Sequence, residues 1–76
     1  MTRLYKLQIG EFFRWDNKVY KVAAVDPNGA VDADRVATLD ASTGEWRLSG
    51  RAFDNHFAAN TEVEFGSLKW EPMDKS

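Results

Sequence analysis

The chain has no cysteine. No disulfide can tie it together, and no thiolate is available as a nucleophile or a metal ligand. It has a single histidine, His56, set in Asp54-Asn55-His56. Nucleophilic catalysis needs a nucleophile, a base and an oxyanion site in mutual reach. Ser49 lies seven residues upstream of His56, but no nucleophile-elbow pattern surrounds it. The glycines, at positions 10, 29, 44, 50 and 66, are dispersed as turn punctuation. No Gly-rich loop opens a helix, as a phosphate cradle requires. Asp26, Asn28, Asp32 and Asp34 crowd together but miss the calcium-loop spacing: Gly29 comes too early and the twelfth position is Ala37. No apolar run reaches the roughly 7–15 residues of a signal-peptide core or the ~20 of a membrane span. These gaps argue against an enzyme, a resident metal or cofactor, and a membrane protein, and favour a soluble, cytoplasmic chain.

What is present is aromatic. Three Trp, five Phe and two Tyr occur in 76 residues. A chain this short buries only about 60% of its unfolded surface, so large side chains must supply its core. Each aromatic contributes about 150–250 Å². Charge is divided unevenly along the chain. Residues 1–25 carry five cations against two anions, and residues 26–76 five cations against ten anions.

The organising stretch is Gly10 to Val25, GEFFRWDNKVYKVAAV. Aromatic and β-branched residues on both sides of Asp16-Asn17 favour pleated strands, and an Asx pair tolerates the positive φ of a tight hairpin turn. A two-residue turn sets Trp15 opposite Lys18, Phe13 opposite Tyr20 and Glu11 opposite Val22. Alternation then places Phe13, Trp15, Tyr20, Val22 and Ala24 on a core face and Phe12, Arg14, Val19, Lys21 and Ala23 on a mixed surface.

Other segments follow the same logic. Arg3 to Gln8 alternates weakly and reads as a first strand or lead-in. Asp26-Pro27-Asn28-Gly29 is a turn. Residues 31–40 alternate until Asp34-Arg35, where the order breaks as in a bulged strand. Ala41 to Gly44 is a turn, and Glu45 to Leu48 a strand with Trp46 and Leu48 on one face. Phe53 and Phe57, four apart, predict one helical turn near residues 52–58. Thr61 to Phe65 alternates with Val63 and Phe65 inward and Glu62 and Glu64 outward. Leu68 to Trp70 reads as a last short strand, and residues 71–76 as a frayed tail. The expected architecture is a single all-β domain over residues 1–70: a small barrel of five or six short strands.

The phrases Gly10-x-Phe12, Asp16-Asn17-Lys18-x-Tyr20-x-Val22, Val31-x-Ala33, Leu39-Asp40, Thr43-Gly44-Glu45 and Thr61-x-Val63-x-Phe65 resemble SH3-like small β-barrels. They look in particular like short proteins carried by phages and mobile elements. The likeness spans residues 9–65 and implies a fold and an origin; it transfers no functional residue. The stretch from Arg47 to Asn60 is longer than the connection such barrels have there.

Two surfaces offer recognition. One is the hairpin face with Phe12, Arg14 and Lys21. The other is the irregular stretch bearing Trp46, Arg47, Arg51 and His56. Trp and Arg are favoured anchors at protein interfaces, so docking on a protein partner, as an adaptor or inhibitor, is the leading expectation. The alternative is single-stranded nucleic acid, whose bases stack on aromatics in a basic groove; the acidic overall balance weighs against it. An open sheet edge also offers self-association with a second copy.

Overall fold

A computed structural model describes residues 1–48 and 54–66 of the chain. Its described residues form one antiparallel sheet of seven strands: β1 (Thr2–Arg3), β2 (Phe12–Trp15), β3 (Lys18–Val25), β4 (Val31–Asp40), β5 (Glu45–Leu48), β6 (Asp54–Phe57) and β7 (Glu62–Gly66). The order is β1-β7-β2-β3-β4-β5, with β6 also on β4. The fold is all-β. The sheet does not close into a continuous ladder among the described residues.

The central hairpin follows the sequence rule. Trp15 lies opposite Lys18 and Phe13 opposite Tyr20. Asp16 and Asn17 take φ of 53° and 59°, the left-handed pair that matches the twist of two flanking strands. Glu11 and Val22 are joined by the Val22 N–H donating to the Glu11 carbonyl. The next turn forms at Asp26. Its carboxylate accepts from the amides of Asn28 and Ala30, and Gly29 supplies a φ of 86°.

Two bulges re-aim the long β3–β4 ladder. Val19 pairs with Ala37 but Tyr20 with Arg35, so Val36 is the extra residue on β4. This is next to the Asp34-Arg35 break in alternation. Val22 pairs with Ala33 but Ala24 with Asp32, so Ala23 is extra on β3. A bulge shifts everything beyond it to the opposite face. Ala24 was expected in the core and is instead exposed on the other side.

One face of the sheet carries the main core: Leu4, Leu7, Phe13, Tyr20, Val22, Val31, Ala33, Phe57, Val63 and Phe65. Phe13 stacks on Tyr20 at 5.2 Å, and Phe57 meets Phe13, Trp15 and Tyr20 edge-on at 5.0–5.4 Å. Such pairs add about 0.5–1.5 kcal/mol beyond the area they bury. Trp15 shares this face but stays 41% exposed at its margin. The opposite face is not merely solvated, because Val19 and Ala37, paired across β3 and β4, are fully buried there.

Two sequence expectations are corrected. The helical turn near residues 52–58 gives way to strand: Asp54–Phe57 is β6, paired with Val31–Asp34. Phe57 occupies the core through strand pairing opposite Val31, so the four-residue spacing from Phe53 carried no helical meaning. The first strand is only Thr2–Arg3; Leu4–Lys6 is a 3-10 turn that sinks Leu4 into the core. Phe53, the expected strand at Leu68 to Trp70 and the tail at 71–76 lie outside the described residues.

β5 and β6 both pair with β4, on the side away from β3. Leu48 pairs with Ala37 and Asp54 with Asp34, so β5 and β6 take successive parts of β4. After β6, the turn from Ala58 to Thr61 leads directly into β7, which lies between β1 and β2 in the strand order.

Candidate functional site: the outer face and the hairpin tip

The face opposite the core gathers most of the residues singled out in the sequence. β2 places Phe12 and Arg14 there, β3 places Lys21, and the pairing of Leu39 with Trp46 places Trp46 there. The Arg14 guanidinium lies over the Trp46 ring, 6.0 Å from its centroid. Arg14 also forms an ion pair with Glu64, its cross-strand neighbour on β7. One guanidinium thus joins three strands, with a carboxylate on one side and an indole ring within cation–π range. Phe12 is half-buried beside it and Lys21 is exposed.

Other cations pair with a carboxylate or stand opposite one. Lys21 stands opposite Asp34 across the β3–β4 ladder. Arg47, expected beside Trp46, projects to the other face and reaches Asp40 at 2.9 Å. The Asp40 carboxyl is held below its usual range, first by the Ser42 hydroxyl, then by the Ser42 amide, with a smaller contribution from Arg47. Arg51 lies outside the described residues.

His56 belongs to a different group. β6 sets it opposite Asp32 on β4, and its Nδ1 lies 2.6 Å from Asp32 Oδ1. Its Nε2 is 3.9 Å from Asp26 Oδ2, the free oxygen of the carboxylate that caps the 26–30 turn. The hydrogen bond that the ring N–H donates to Asp32 is the main reason the imidazole holds its proton to higher pH than usual; desolvation opposes it, and the charges of Asp32 and Asp26 add to it. The ring is largely exposed. Two carboxylates at its two nitrogens make it an ion-pair bridge. Among the described residues no group of three or more His, Cys, Asp or Glu is arranged to hold a metal ion.

An open cleft of about 300 Å³ adjoins Arg14 at the hairpin tip, lined by Met1, Arg14, Trp15, Asp16, Asn17, Glu62 and Glu64. Of these, sequence reading singled out only Arg14 as a binding residue. The rest were not foreseen because the cleft forms where β7 docks on β2, nearly fifty residues away in the chain. The exposed edge of Trp15 and the Arg14–Glu64 pair form its walls.

No protein-family model, curated protein or solved structure matches the chain. No helix among the described residues is long and apolar enough to cross a membrane.

Proposed function

We propose that the chain is a non-enzymatic binding module that docks on a protein partner, as an adaptor or inhibitor, through Arg14, Trp46 and the cleft at the hairpin tip. The observation that carries this reading is the position of Arg14. It is held between Glu64 and Trp46 at the mouth of a cleft walled by a second, part-exposed tryptophan. Arg and Trp fixed in this way lose little side-chain freedom on binding, which is the property of interface anchors. The scaffold we propose is an SH3-like barrel. Its support is the order β7-β2-β3-β4-β6 and the short turn that returns β6 to β7. With the resemblance of residues 9–65, this also suggests an origin in a phage or mobile element.

Single-stranded nucleic acid is less well supported. Phosphates bind by releasing counterions from free cations. Here Arg14 and Arg47 are paired with Glu64 and Asp40, and Lys21 faces Asp34. An incoming backbone would have to break those pairs.

The test uses two matched baits, the native chain and Arg14→Gln/Trp46→Ala, each shown to be folded by circular dichroism. Affinity capture from the native host should retain a protein on the first that is depleted on the second. Equal capture by both removes this face as the docking site.

A further inference from the structure

The border strand β5 has one neighbour, β4, among the described residues. Among the described residues its outer backbone groups have no strand beside them, and such an edge accepts strand addition. Its sequence, Glu45-Trp46-Arg47-Leu48, has a specific property. When an antiparallel edge pairs with its own copy about a two-fold axis normal to the sheet, residues of equal parity come face to face. With the axis at Trp46, Glu45 meets Arg47 of the second copy, Arg47 meets Glu45, and the two Trp46 rings meet on the outer face. Moving the axis to residue 45 sets Glu against Glu, and moving it to residue 47 sets Arg against Arg. Of these three registers, only the one centred on Trp46 sets opposite charges against each other.

The monomer leaves the charges ready for that register. Glu45 sits opposite Asp40 across β4–β5, a like-charge pair, and its carboxylate makes no ion pair among the described residues. Arg47 holds Asp40 yet keeps 68% of its side chain exposed, so its guanidinium has donors to spare. Leu48, 72% exposed at the end of the strand, is apolar surface on the same border.

We propose that the outer edge of β5 is a self-association surface, whose occupant is a second copy of this chain added antiparallel with Trp46 on the two-fold axis. The sheet then runs continuously through both copies, and the two Arg14–Trp46 contacts come side by side on one outer face. This inference is independent of the docking reading above, because it rests on the edge and its charges.

The test is charge exchange on the full chain, read by analytical ultracentrifugation from micromolar to millimolar protein, with circular dichroism to confirm folding. The native chain should show a concentration-dependent dimer. Glu45→Arg places Arg against Arg, and Arg47→Glu places Glu against Glu. Each variant alone should self-associate at least about tenfold more weakly, since cross-strand charge pairs change from attractive to repulsive. Mixed together, the two variants restore both opposite-charge pairs and should form the heterodimer. A native chain that stays monomeric throughout, or a mixture that associates no better than its components, overturns the proposal.

Discussion

His56 Nδ1 and Asp32 Oδ1 lie 2.6 Å apart, joining β6 to β4 by side chains as well as by backbone. The pair fastens β6 to β4, and Asp26 stands at the other ring nitrogen. It gives the fold a pH response of predictable sign. The folded His56 titrates above its ordinary value of 6.5. A raised folded pKa means the contribution is fully present below the unfolded pKa and is lost as pH rises through the folded one. Urea midpoints should therefore fall across that window in the native chain and stay flatter in Asp32→Asn. NMR titration of the ring should show its pKa falling in the same variant. An unchanged imidazole titration in Asp32→Asn would show that the bridge does not form.

The hairpin turn makes a sharper prediction. Asn17 has φ of 59°, a region that costs an ordinary L-residue about 1–2 kcal/mol. Asn17→Gly should leave stability unchanged or raise it, while Asn17→Val should lower it by about that amount. Chemical denaturation of the two variants decides the sign. A Gly variant less stable than native would contradict the left-handed pair at Asp16 and Asn17.

In the core, Phe13 is fully buried and contacts both Tyr20 and Phe57. Truncating a buried Phe to Ala costs about 3–5 kcal/mol. A domain of this size has only about 4–11 kcal/mol in total. Phe13→Ala should therefore leave a substantially unfolded population, with loss of near-ultraviolet dichroism. Phe12→Ala, at a half-buried position on the other face, should cost less than half as much. Equal costs would mean the two faces are misassigned.

The fold was legible wherever the sequence acts locally. Asp16-Asn17 sets its own register, Asp26 caps its own turn, and Val63 and Phe65 alternate with Glu62 and Glu64 within one strand. What escaped depends on partners distant in the chain. Ala24 leaves the core only because Ala23 bulges against β4, and Val19 is buried on the surface face only because Ala37 arrives opposite it. Phe53 and Phe57 imitated a helical spacing that strand pairing at Val31 overrode. The candidate site divides in the same way. Arg14 and Trp46 were named from composition, but their approach depends on a β2–β3–β4–β5 path that no single segment encodes. Arg47, next to Trp46 in the chain, turns to Asp40 because successive residues of a strand face opposite ways.

A separate prediction concerns nucleic acid. Labelled oligonucleotide titrated at low salt should bind no better than to an acidic control protein of equal size, because Arg14 of the outer face is held by Glu64 and Lys21 stands opposite Asp34. Saturable binding that weakens steeply with salt would restore the single-strand reading.

The most direct measurement is calorimetric titration of the captured partner, once purified, onto the native chain and onto folded Arg14→Gln/Trp46→Ala. If the chain works by contact through this face, the double substitution should cost at least about 2 kcal/mol, roughly thirtyfold in Kd. Binding of equal strength to both chains would contradict it.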